Sequence, residues 1–375
     1  AERFRTDIQR MERVQKVAGG SVAFAFDRGT IRAPGGRSTE VCELEIELVS
    51  GSSAAVIATA RKWVQRHGLW IDVVNKALRG SLVADGLIVA PVAKGVKPKL
   101  HEAMSADEML RAITSTCLGQ ILRNTSALAN DLAEPQHVHL ARVGMRKLRS
   151  VLRELGHLSP AVQPEWADRL GEFFARLGAA RDRDVLADLL PTIVAAGGPE
   201  FTLPVAAATD AGDVARDPAF TLLVLDLMEY AHGAPLPAQE GDLPVRDLVA
   251  AELRRLHRHT LRGHAEFAGL EEEAQHSVRK ELKRLRYVAE LTAGLFPRKQ
   301  VAAYVKALAP AQDALGALND LVVARDTLAA HAAAGTPEAW FGAGWAAAQI
   351  PRAARACVRP LAAASAAPRY WRSTR

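Results

Sequence analysis

The strongest constraint on this 375-residue chain is an internal repeat. Residues 139–149 read His-Leu-Ala-Arg-Val-Gly-Met-Arg-Lys-Leu-Arg, and residues 276–286 read His-Ser-Val-Arg-Lys-Glu-Leu-Lys-Arg-Leu-Arg. Counted from each histidine, His139 and His276, cations recur at the third, seventh, eighth and tenth positions. They are Arg142, Arg146, Lys147 and Arg149 in one copy, and Arg279, Lys283, Arg284 and Arg286 in the other. Four matched offsets mark a duplicated unit. At about 100° per residue, offsets 0, 3, 7 and 10 share roughly 80° of arc on a helix, while offset 8 lies to one side. Like charges three and four residues apart cost an isolated helix about 0.2–0.5 kcal/mol per pair, so each stripe calls for an anionic partner. A polyanion would supply it.

The surroundings of the repeat are helical. From residue 105 onward, Leu- and Ala-rich stretches run over 106–130, 135–156, 162–195, 218–232, 244–265, 272–295, 299–333 and 337–365, broken by Gly or Pro. Eight helices fit two four-helix bundles, with one repeat over about 105–232 and the other over about 243–375. Ser105 with Glu108 makes a capping box, and Asp217-Pro218 and Thr336-Pro337 are further helix starts. A second matched element follows each histidine at nearly equal distance: Leu177-Gly178 then Arg181-Asp182, and Leu315-Gly316 then Asn319-Asp320. No nucleophile or Gly-rich phosphate loop accompanies Asp182, Asp184 and Asp320, so they are expected to orient arginines rather than act as acids or bases.

Composition narrows the partner. The net charge is only +6, and the repeat shows that the excess is gathered rather than spread. Aromatic residues make up 5% of the chain, which disfavours a nucleic-acid partner bound by base stacking. No 18-residue run is free of charge or turn formers, so no membrane span is expected. Cys42, Cys117 and Cys357 are too few for a disulfide framework or a zinc cluster; they are expected to be buried, in a cytoplasmic protein. The cations around His139 and His276 disfavour metal binding there, and His137, His257, His259 and His264 are expected at the surface.

The first 49 residues alternate with period two, giving three strands separated by Gly19-Gly20 and by Pro34-Gly35-Gly36. After Gly51 a helical stripe of Val56, Ile57, Ala60, Trp63 and Val64 follows. A last strand is expected near Ser81–Ile88, and the Pro/Gly-spaced segment beyond it reads as a linker. These boundaries give a head over 1–90, a linker over 91–104 and a body over 105–375. Glu43, Glu45 and Glu47 share one face of the third strand, and Arg10 and Asp27 can face the same space. Such an acidic face suits Mg²⁺ or Mn²⁺.

The body, with its twice-repeated His-x2-Arg-x3-cation-cation-x-Arg stripe, the Gly-x2-Arg/Asn-Asp element and Arg369-Tyr370-Trp371 near its end, resembles the CHAD family, the conserved-histidine α-helical domain. The resemblance covers about residues 100–375. It implies two four-helix bundles related by a pseudo-two-fold, whose basic helices line a central groove or pore that binds inorganic polyphosphate without a cofactor. The implied binding set is His139, Arg142, Arg146, Lys147, Arg149, His276, Arg279, Lys283, Arg284 and Arg286. Neighbouring Arg153, Arg254, Arg255, Arg258 and Arg262 extend it, and Arg181, Asp182, Asn319 and Asp320 support it. Association with polyphosphate granules would follow.

The head resembles the C-terminal half of a CYTH domain, the triphosphate tunnel fold, through its Arg10, Asp27, Glu43-Leu-Glu45 and Asn75-Lys76-Ala-x-Arg79-Gly80 pattern. A complete tunnel hydrolyses tripolyphosphate with Mg²⁺ or Mn²⁺. Carried over, Arg10 and Asp27 would face the triphosphate, and Glu43 and Glu45 would be metal-side carboxylates. The opening Glu-x-Glu-x-Lys strand is absent, so this chain alone is expected to hold half a tunnel and not to hydrolyse. The expected class is therefore mainly α: two pseudo-symmetric bundles behind a small α+β head, binding rather than catalysing.

Overall fold

The computed structural model describes residues 2–178, 186, 189–200, 211–237, 241 and 243–371. Period-two alternation builds an antiparallel meander of β1 (Arg5–Val17), β2 (Gly20–Arg32) and β3 (Ser38–Gly51), in the order β1-β2-β3. Gly19 turns β1 into β2 at φ +84°, a conformation that side chains other than glycine resist. Register places Arg10 opposite Asp27 and Asp27 opposite Glu43, so three charged positions line up across the sheet. The other face packs on helix α1 (Ser53–His67), where Trp63 meets Phe24 with ring centroids 5.1 Å apart.

The expected strand at Ser81–Ile88 is instead the end of a helix, α2 (Lys76–Ala84), and the turn after it. Asn75 caps α2 by accepting from the Leu78 amide at 2.9 Å, and Leu82 and Val83 are buried. Gly80 lets the helix lie against the Phe4 ring, which a Cβ would strike at 2.3 Å. Short apolar runs fit either period, and here the cap decides.

The body follows the helical pattern closely. Repeat one contains α3 (Ala106–Ala129), α4 (Pro135–Leu155), α5 (Trp166–Arg176), a short α6 (Ala211–Arg216) and α7 (Pro218–His232). The expected helix over 162–195 begins at Trp166 and is interrupted by a turn at 177–178; residues 189–195 are helical. Repeat two contains α8 (Val245–Leu261), α9 (Glu272–Leu291), α10 (Arg298–Ala333) and α11 (Ala339–Ser365). The Ser105–Glu108 capping box forms in both directions, at 3.1 Å and 2.7 Å, and Asp217 caps α7 by accepting from the Ala219 amide. Thr336 does not cap α11: a turn over Thr336–Ala339 comes first and the helix begins at Ala339.

One apolar core runs through both repeats, from Met109 and Ile113 through Leu148 to Leu285 and Tyr304. A smaller core joins Ile193 to the far ends of α10 and α11. The motif helices α4 and α9 pack directly against each other, which brings the duplicated stripes together. The head is fixed to the body through Arg61 of α1, which reaches Asp226 at 2.9 Å and Glu229 at 2.6 Å on α7.

Two histidines expected at the surface are buried. His137 is 1% exposed; its Nδ1 accepts from the Glu134 amide at 3.1 Å, completing the start of α4, and its Nε2 lies 3.0 Å from the Ala90 carbonyl. His257 is 4% exposed, 2.9 Å from the Tyr304 hydroxyl and beside Trp371. In both cases a polar partner offsets desolvation. Of the cysteines, Cys117 and Cys357 are buried as expected, but Cys42 is exposed on β3, where its cross-strand neighbour Arg28 is exposed too. Burial pushes the Cys117 thiol up to about 12, which makes it unreactive.

Candidate anion-binding cleft

Between α4, α9 and α10 lies a cleft of about 490 Å³. From α4 it takes Arg142, Arg146, Arg149 and Arg153; from α9, His276, Arg279, Lys280, Lys283 and Arg284. Asn319 and Asp320 of α10 and Phe174 of α5 complete the wall. Among the described residues, eight cations and one carboxylate therefore line one cavity.

Local contacts hold these side chains in place. Arg142, only 8% exposed, donates from Nη1 to the Phe174 carbonyl at 2.7 Å, and its guanidinium lies 4.1 Å from the Phe174 ring centroid. Arg146 lies 5.0 Å from the same ring and 3.4 Å from the Tyr287 hydroxyl of α9. His276 Nδ1 is 3.0 Å from Asn319 Oδ1, linking the two matched sequence elements of repeat two. At the rim, Glu154 meets Arg284 at 2.9 Å and Arg255 at 2.7 Å, and Asp168 meets Arg153 at 3.1 Å. Burial, with Arg153 and Arg284 close by, lowers the pKa of the Arg149 guanidinium, and Asp168 only partly opposes this. Burial and then Lys280, Arg279 and Lys283 likewise depress His276 against the hydrogen bond it donates to Asn319 Oδ1. Both shifts come from burial first and from neighbouring cations second.

The structure does not gather every expected residue here. Lys147 and Arg286 line a separate cavity with Lys97, Arg298 and Lys306, and Arg286 pairs with Glu290 at 2.7 Å. The cleft residues of α9 are centred roughly 60° further round their helix than those of α4, at about 100° per residue. This turns offset 8 inward in α9 and offset 10 away from the cleft. His139 is half-buried on α4 and is not among the residues described as lining the cleft. Arg255 pairs with Glu252 and Glu154 at the rim, and Arg258 is exposed on α8. Arg181, Asp182 and Asp184 lie outside the described residues. Lys280 and Phe174 line the cleft but were not singled out by the repeat: Lys280 has no cationic match in the first copy, and an aromatic residue in a helix reads as core.

In the head, register and α2 bring Arg10, Asp27, Glu43 and Glu45 together, with Glu47 further along the strand. Asp27 is fully enclosed; Arg10 reaches it at 2.6 Å and Glu45 at 2.7 Å. The oxygens of Asp27, Glu43 and Glu45 lie within 4.8 Å of one another. Lys76, at the first position of α2, touches all three: 2.7 Å from Asp27, 2.7 Å from Glu45, and closer still to Glu43. The Arg10 hydrogen bond, with help from Lys76, holds the Asp27 carboxyl at about 2 despite its burial. An ammonium thus stands where a divalent ion would need to be, and these residues as arranged do not fit Mg²⁺ or Mn²⁺.

The comparisons with known proteins bear on the body. No described helix is long and apolar enough to cross a membrane. The crystal structure of the CHAD domain from the plant Ricinus communis matches at a TM-score of 0.58 and 28% identity, covering 75% of this chain and 98% of that one. The CHAD domain family model matches residues 112–329, which takes in both copies of the basic stripe and the cleft between them. The chain belongs to the CHAD family.

Proposed function

We propose that the cleft binds inorganic polyphosphate. The observation that supports this most is the convergence of basic stripes from both repeats on one cavity that, among the described residues, is lined by eight cations and a single carboxylate. A chain of phosphates offers closely spaced oxygens with one negative charge or more per unit, and arginine forks can take two such oxygens at once. The binding set is Arg142, Arg146, Arg149 and Arg153 with His276, Arg279, Lys280, Lys283 and Arg284; Asn319 and Asp320 support His276 and the rim. Binding needs no metal and no cofactor. The body spans 105–375, and polyphosphate binding would recruit a cytoplasmic protein to polyphosphate granules.

The test is a titration with long-chain polyphosphate at physiological salt, with an RNA homopolymer alongside. Tight binding that RNA does not displace is expected. Arg146→Ala and Lys283→Ala are each expected to weaken binding by about tenfold or more, in line with charge-assisted hydrogen bonds worth about 1.5–3 kcal/mol. Equal displacement by RNA would make the cleft a general polyanion surface, and undiminished affinity in both variants would move the site elsewhere.

The head does not favour a second, hydrolytic reading of this chain. Lys76 and Arg10 already pair with Asp27, Glu43 and Glu45. Tripolyphosphate hydrolysis would belong to a complete tunnel.

A further inference from the structure

We infer that α5 is a rack that holds the arginines of α4 ready for the anion, with Phe174 as its central positioning residue; this rests on the reading of the cleft as a polyphosphate site. Gly171 and Phe174, three residues apart on α5, and Gly178 in the turn beyond it, four further on, follow helical spacing and form one face. Each touches a stripe arginine. A Cβ at Gly171 would stand 2.7 Å from the Arg149 guanidinium carbon, so only glycine leaves that guanidinium its place. A Cβ at Gly178 would meet Arg142 Nη1 at 2.8 Å. Between them the Phe174 ring carries Arg142 at 4.1 Å and Arg146 at 5.0 Å, and its carbonyl accepts from Arg142. Three successive arginines of the stripe are thus positioned by one face of a neighbouring helix.

Arginine has many rotamers, and an anion that must freeze several of them binds weakly; fixing them beforehand removes that cost. The rack also bears on selectivity, because guanidiniums engage the Phe174 ring, the one aromatic ring among the described wall residues, and a nucleobase would have to displace them to stack there. The matched positions of repeat two are arranged differently. Gly316, the match to Gly178, has nothing within 4 Å of where its Cβ would be, and His276 is held by Asn319 instead. The cleft is therefore built from unlike halves: a fixed arginine half on α4, and on α9 a half that adds the lysines Lys280 and Lys283.

Substitutions at Phe174, Gly171 and Arg149 and one spectrum test this. Phe174→Leu keeps an apolar side chain in a helix but removes the ring, and should weaken long-chain polyphosphate binding by about tenfold, as expected for the loss of two partly desolvated cation–π contacts. Phe174→Tyr should bind like wild type. Gly171→Ala should leave thermal stability unchanged or higher, since alanine favours helix, while lowering affinity. In an Arg149→Ala background it should have no further effect. Wild-type affinity in Phe174→Leu, or an equal loss from Gly171→Ala with and without Arg149, would overturn the rack. Independently of any ligand, the side-chain N–H resonances of Arg142 and Arg146 should be ring-current shifted in NMR spectra of the wild-type chain and return toward ordinary values in Phe174→Leu. Shifted resonances in a chain that fails to bind polyphosphate would leave the rack standing and remove the polyphosphate reading; unshifted resonances in the wild type would remove the rack.

Discussion

His276 faces a cluster of cations, and its imidazole is held below the ordinary histidine value by burial first and then by Lys280, Arg279 and Lys283. A polyanion in the cleft reverses the electrostatic part of that shift, so binding should take up a proton. Affinity should then rise as pH falls through the histidine range. Calorimetry in buffers of differing ionisation enthalpy measures the uptake, and His276→Gln should abolish it. Uptake that survives in His276→Gln would mean another group is linked. In the absence of ligand the sign for stability is opposite: the unfolded chain binds this proton more readily, so His276 weakens the fold as pH drops below the normal histidine range. Asp27 behaves the other way. Its folded value of about 2 lies below the ordinary 3.8, so its contribution is complete above 3.8 and lost as pH falls through 2. Asp27→Asn should lower the melting temperature at pH 7, and the difference from wild type should narrow in a thermal-unfolding series taken down to pH 2.

At the scale of elements, sequence patterns sufficed where a helix had both a period and a cap. Ser105 shows why. Its hydroxyl accepts from Glu108 and donates to the Leu236 carbonyl at 3.1 Å, so Ser105→Ala should cost about 1 kcal/mol in urea unfolding. An unchanged midpoint would show that water replaces both bonds. The duplicated stripes were equally legible, since four offsets in a helix fix a face before any fold is known. Which of those cations meet was not: the difference in rotation between α4 and α9 comes from tertiary packing, and it sends Lys147 and Arg286 to another cavity. Ser81–Ile88 misled because Leu82 and Val83 suit a strand or a buried helix turn, and the deciding cap at Asn75 stands six residues earlier. His137 and His257 misled because their partners, the Ala90 carbonyl and the Tyr304 hydroxyl, are remote in sequence. The α5 face was invisible for the same reason: nothing in Gly171 or Phe174 signals that arginines from another helix rest on them.

On the scale of the whole molecule, the cleft is the place where basic residues of the two repeats meet, and where the proposed ligand would touch both. A phosphate chain that touches α4 and α9 together binds only the folded arrangement, so it should stabilise the body by about 2.7 kcal/mol at a free concentration a hundred times the dissociation constant. For a body of this size each kilocalorie is worth about 2–4 °C, so the melting temperature should rise by roughly 5–10 °C. The head joins the body through Arg61 and the acidic pair on α7, away from the cleft residues. Arg61→Ala should therefore lower the melting temperature without reducing the shift that polyphosphate produces, whereas Arg146→Ala and Lys283→Ala should shrink the shift at a fixed polyphosphate concentration. Scanning calorimetry with and without long-chain polyphosphate distinguishes these cases. A shift that persists in both cleft variants but vanishes in Arg61→Ala would place the phosphate chain at the junction of head and body instead.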